Sequence, residues 1–170
     1  MALELTKHNI EYWSQRYQYP GTETVREIQQ WFAVHRYLDR DMFLKLALWK
    51  STRPKKHFES PINSDERIRM VTTLALASDD EYFKIHVLQL MSGVSWPVAS
   101  TILHFAEPDK YIIMDFRTIW SLGWEHPKQY TFDFWEQYLQ ETRSLAEKYH
   151  VSLRTLDKAL WQYSKEHQTK

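Results

Sequence analysis

Asp115 is the residue of this chain with the clearest opening for chemistry. It follows the apolar run Tyr111-Ile112-Ile113-Met114, read as extended, and precedes a helix predicted from Phe116 to Leu122 with Gly123 as its C-terminal stop. A carboxylate at a helix N-terminus tends to stay ionised, which suits stabilisation of positive charge better than strong base catalysis. The same residue also reads as an ordinary N-cap of that helix. Arg117, two residues on, either contacts phosphate or pairs with an acid, and pairing is the simpler reading.

Two other stretches are suited to hold an anion. Gly93, one of three glycines, lies between two segments that both read as helix and so marks a tight turn. Backbone N–H groups at such a hairpin and at the start of the following helix are unsatisfied donors at the positive end of a dipole, a natural phosphate site. Gly93, Val94 and Ser95 form this hairpin, and Trp96 beside it either touches a nucleic acid or anchors the turn. The stretch Trp49 to His57 has four formal positive charges, Lys50, Arg53, Lys55 and Lys56, with no acid. It lacks apolar periodicity, contains Pro54 and reads as an exposed irregular loop.

Helices must position these groups. One is predicted from Thr6 to Tyr19, ended by Pro20-Gly21, and a second carries Val25, Ile28, Trp31, Phe32, His35 and Leu38 as its stripe. Asp39-Arg40-Asp41 starts a third, with Met42, Phe43, Leu46, Ala47 and Trp49. Asn63 or Ser64 caps the helix of Asp65 to Ala77, whose Ile68, Val71, Leu74 and Leu76 face inward while Arg67 and Arg69 reach solvent. Acidic Asp79, Asp80 and Glu81 start the next, with Tyr82, Phe83, Ile85, His86, Leu88, Leu90 and Met91. After the hairpin, Ser95 caps a helix with Pro97 in its first turn and Val98, Ala99, Ile102, Leu103 and Phe105 inside; His104 reads as a core or groove histidine. Thr131 and Ser152 cap the last two, which close the bundle against the N-terminal helices.

The run Leu90-Met91-Ser92-Gly93-Val94-Ser95, followed by Ala99, resembles the Leu-Pro-Gly-Val-Gly hairpin of the helix-hairpin-helix DNA glycosylase superfamily. Asp115 follows Gly93 by 115 − 93 = 22 residues, the interval typical of that family's catalytic aspartate. The resemblance covers residues 80 to 124. It implies a single all-α domain over residues 1–170, of about eight helices, with a groove between two helical halves. It also implies DNA as partner, Asp115 stabilising an oxocarbenium-like sugar, aromatic side chains receiving a rotated-out base, and a role in base-excision repair. A monovalent cation at hairpin carbonyls often assists in the family; no other cofactor is implied. Pro97 occupies the position of the lysine nucleophile of bifunctional members, which implies a monofunctional N-glycosylase with water as nucleophile. Ser95 replaces the second hairpin glycine, restricting the backbone wherever a positive φ is needed.

Composition bounds the remaining readings. Six prolines and three glycines among many Leu, Glu, Lys and Gln point to an almost all-helical chain, and the absence of cysteine excludes disulfides and a cysteine-held iron–sulfur cluster. Eight histidines show no metal-site spacing, so no catalytic metal is predicted. Met1 to Lys7 has no apolar signal core and no run approaches membrane-spanning length, which predicts a soluble, cytoplasmic protein with no membrane partner. Lys plus Arg balances Asp plus Glu at 22 each, so any DNA footprint must be local. Two alternatives to the enzyme stay open: a nucleic-acid-binding module using the hairpin and the Lys50 to Lys56 loop, and a scaffold whose aromatic groove takes a protein or small ligand.

Overall fold

Side-chain oxygens start most of the helices where polar residues precede an apolar stripe. Thr6, Asp39, Ser64, Asp80, Thr131 and Ser152 each accept a backbone N–H three residues on, satisfying donors that the helix itself leaves open. The computed structural model describes residues 1–168. Among them the protein is all-helical: α1 (Lys7–Gln15), α2 (Thr22–Val34), α3 (Arg40–Lys50), α4 (Lys55–Phe58), α5 (Asp65–Ala77), α6 (Glu81–Leu88), α7 (Trp96–Ala106), α8 (Phe116–Ser121), α9 (Phe132–Tyr149) and α10 (Leu153–His167). That is ten helices against about eight expected, the one-turn α4 being one addition. No helix among the described residues is long and apolar enough to cross a membrane.

The chain divides into two compact units, Pro20–Glu107 and Met1–Tyr19 with Pro108–Lys170. In the first, α7 is the central rod. Every side chain from Val98 to Phe105 is buried, His104 included, and α2, α3 and α6 pack on it. Small Ala99 and Ser100 allow that close approach, and α5 lies against α6 and α3. Lys84, on the inner face of α6, is also buried; its ammonium donates to Glu107 Oε2 at 2.5 Å and to Ser78 O at 3.1 Å. That pair ties the ends of α5 and α7 to α6.

In the second unit α10 is the hub, packed by α1, α8 and α9. Leu153, Leu156, Ala159 and Leu160 form its inner face, and the last helix does close against the first. Tyr111 to Met114 lie outside any helix and are buried. Gly123 (φ 78) ends α8 as predicted: its N–H reaches Trp120 O and the N–H of Trp124 reaches Ile119 O, a closing pattern that needs a left-handed residue.

Several expectations need correction. α1 stops at Gln15, not Tyr19, because Arg16 turns aside to a bidentate pair with Glu166 and the Gln18 N–H is taken by Gln162 Oε1. The second stripe leaves the helix at Val34; Leu38 is buried from a loop whose N–H donates to Thr72 Oγ1 at 2.9 Å. Leu74, expected to face inward, is exposed, as are Tyr82, Phe83, Leu90 and Phe116. Short helices of mixed pattern place their apolar residues by packing partners rather than by periodicity alone. Arg67 does not simply reach solvent: it is half-buried and donates to Leu90 O at 3.1 Å.

Candidate functional site

The hairpin begins as α6 unwinds at Gln89. Val94 N–H closes a turn on Met91 O at 3.2 Å, and Gly93 takes φ 83. A side chain there meets two obstacles. Its backbone is left-handed, and a Cβ would lie 2.8 Å from a ring carbon of Phe58 and 2.9 Å from His57 Cβ. Ser95, by contrast, is extended at φ −99 and ψ 178, so the serine that replaces a second glycine fits its backbone. Its side chain makes no cap bond to α7, which opens with Pro97 in its first turn.

The contact of Gly93 with His57 and Phe58 joins two stretches the sequence presented separately. The basic segment is not an irregular loop throughout: Lys50 ends α3 and is half-buried, a turn carries exposed Arg53, and Lys55, Lys56 and His57 are exposed on the single turn of α4. Phe58, fully buried, anchors that turn against Phe43. Lys55 faces Glu59 at 3.7 Å, a solvent-exposed pair that contributes little to stability. Arg53 and Lys56 have no carboxylate within ion-pair distance among the described residues.

Asn63 is the clamp between the two, and sequence reasoning missed it by treating it only as an alternative cap. Its side chain is fully buried. Nδ2 lies within 2.9 Å of Ser92 O, 3.1 Å of Phe58 O and 3.2 Å of His57 O, while Oδ1 accepts the Ser92 N–H at 2.8 Å. One side-chain amide thus fastens the hairpin to α4. The available signal was an Asn immediately before a Ser that already suffices as cap, leaving the amide free for another task.

The same bonds bear on the monovalent cation that the resemblance implies. The carbonyls of Leu90, Met91 and Ser92 already accept Arg67 Nη2, the Val94 N–H and Asn63 Nδ2. The positive charge beside these carbonyls is the Arg67 guanidinium, whose Nε is buried with no partner among the described residues. The chain has no cysteine, and no group of three metal-ligating side chains occurs among the described residues. Trp96 is half-buried and meets the His86 ring edge-on at 5.3 Å, so it borders the hairpin without being sealed beneath it.

Asp115, in the other unit, caps α8 and is partly exposed. Its Oδ1 accepts the Arg117 N–H at 2.9 Å, its own N–H reaches Thr118 Oγ1 at 3.2 Å, and the Thr118 hydroxyl donates to Asp115 O at 2.8 Å. Behind Thr118 stands Tyr138, fully buried, its hydroxyl 2.9 Å from Thr118 Oγ1 and 3.0 Å from Ile113 O. Burial raises the Tyr138 hydroxyl well above its ordinary range, so it stays protonated and keeps its hydrogen bond. Burial, reinforced by the negative charge of Asp115, likewise pushes Tyr130 up to about 12; its hydroxyl lies 3.0 Å from His126 Nε2. The result is a carboxylate held in one orientation by a locked backbone, with neutral aromatic hydroxyls for neighbours.

Arg117 does not pair with an acid, contrary to expectation. Its guanidinium lies over the rings of Phe116 and Trp161, at 5.1 and 5.7 Å from their centroids, since α8 packs on α10 and presents an indole where a carboxylate was expected. No protein-family model, curated protein or solved structure matches this chain.

Proposed function

We propose that this protein binds DNA through the hairpin of Gly93, Val94 and Ser95 together with the basic turn of α4, and acts on it as a monofunctional N-glycosylase. The observation that carries the reading is the Asn63 clamp, which joins a hairpin with positive-φ Gly93 to the segment bearing Arg53, Lys55 and Lys56. A phosphate at the hairpin then meets backbone N–H donors from one side and cations from the other. In this reading Asp115 supplies the negative charge that a sugar losing its base requires, and water supplies the nucleophile, because Pro97 stands where a lysine would form a covalent intermediate. The capping network around Asp115 supports it, since stabilisation by a charge requires that charge to be held in place beforehand.

Two measurements test the proposal. In single-turnover base release from a panel of damaged duplexes, Asp115→Asn is expected to slow release about a hundredfold or more, and strands remain intact until alkali is added. Lys55→Glu with Lys56→Glu is expected to weaken duplex binding and lower the slope of log affinity against log salt by about two. Salt-dependent binding without release from any duplex would remove the enzyme and leave a binding module. A folded protein with no binding at low salt would remove both.

A further inference from the structure

The outer face of α10 carries a pattern that the hairpin reading does not use. Arg154, Lys158, Trp161 and Lys165 recur at intervals of four, three and four residues, one face of a helix, with cations about 6 and 10 Å apart along the axis. The structure adds two rings from the segment that follows α1 and a cation from α8. Tyr17 and Tyr19 stack on each other and meet Trp161 edge-on at 5.4 and 5.1 Å. Arg117 and Lys165 lie over Trp161, and Arg154 and Lys158 over Tyr17.

From this face we infer a second nucleic-acid contact, distinct from the hairpin, that takes a single DNA strand by stacking bases on Trp161 and Tyr19 and pairing phosphates with Arg117, Lys158 and Lys165. Charge selects the occupant. Among the described residues, Arg154 is the one of these four cations of α10 and α8 within ion-pair distance of a carboxylate, Asp157, and the nearby Glu166 is taken by Arg16. The patch is therefore basic on a chain of zero net charge. Burial first, and then the Arg154 charge, hold Lys158 below its ordinary range, with Asp157 opposing them. Half-buried rings interleaved with cations are the arrangement that binds single strands with little sequence preference, because every base has a face to stack. An acidic peptide would meet the cations but has no flat bases to lay on the Trp161 and Tyr19 rings, which a single strand supplies at every nucleotide.

The test uses the full chain and an oligothymidylate of about fifteen nucleotides, long enough for one such site, with 5-iododeoxyuridine substituted for photocrosslinking. Expected are crosslinks within residues 154–165 or at Tyr17 and Tyr19. Lys158→Gln with Lys165→Gln should lower the salt slope by about two, and Trp161→Ala should weaken binding roughly 5- to 100-fold, with Trp161→Phe restoring part of it. Circular dichroism confirms that each variant is folded, and the lysine pair remains informative if Trp161→Ala is not. Crosslinks confined to residues 50–58 or 92–96, parent-like binding by the folded lysine variant, or no binding at low salt overturns the inference. Loss of duplex binding by Lys55→Glu with Lys56→Glu concerns the hairpin alone and leaves these outcomes unchanged.

Discussion

Replacing Glu107 by Leu is expected to destabilise the fold by about 3–5 kcal/mol, the cost of leaving a buried charge without its partner. Lys84 is 1% exposed and its ammonium has Glu107 Oε2 at 2.5 Å. Arg36 also approaches Glu107, at 3.7 Å, but it is mostly in solvent and contributes little. The charge on Lys84 is the one that cannot be rehydrated in place, and its bond to Ser78 O at 3.1 Å is to a neutral acceptor. The double variant Lys84→Met with Glu107→Leu should recover most of the loss, because two apolar side chains of similar volume need no charge partner. Urea denaturation of the single and double variants measures both. A single variant within about 1 kcal/mol of the parent would show that water reaches Lys84 and that the pair behaves as a surface one.

Asn63→Leu carries the second large effect. It leaves the Ser92 N–H and the carbonyls of Ser92 and Phe58 without the amide that now pairs with them, while His57 O keeps the Ser60 N–H at 3.2 Å. At about 1–3 kcal/mol for each buried polar group left unsatisfied, and with water reaching some of them, the expected loss is about 3 kcal/mol or more. Asn63→Asp keeps the acceptor for the Ser92 N–H but sets a buried carboxylate against the carbonyls of Ser92, Phe58 and His57, so its loss should be at least as large. Hydrogen exchange reads the position directly: the Ser92 amide should lose protection in Asn63→Leu well before the core amides of α7 do. Equal loss at both would mean that Asn63 supports the whole unit rather than the hairpin. In the proposed DNA-binding role, duplex affinity should fall with the Ser92 protection, since the clamp is what holds hairpin and α4 together.

The helices were largely legible because their signals are local. Ser64, Thr131 and Ser152 cap where they were expected to, since a cap involves only a side chain and a backbone N–H three residues away. Gly93 and Gly123 were legible for a similar reason, the left-handed turn being a property of one residue. The site was legible only in part. Gly93, Ser95, Asp115 and the basic residues were picked by type and spacing, but nothing in the spacing of Asn63 and Ser92 announces that 29 residues of chain bring them within 2.8 Å. Arg117 failed in the same way, since its partner Trp161 is supplied by another helix.

By itself, then, the sequence determined the helical class, most helix starts, the hairpin turn and a carboxylate at the head of α8, because short-range sterics and hydrogen bonding set all of these. Tertiary structure alone decided which groups share a surface. It placed the hairpin on α4 through a buried amide, buried Lys84 against a carboxylate 23 residues away, and assembled cations and rings from three segments on the outer face of α10. Those choices depend on which faces pack together, and packing is decided by the sum of many weak long-range contacts that no local pattern encodes.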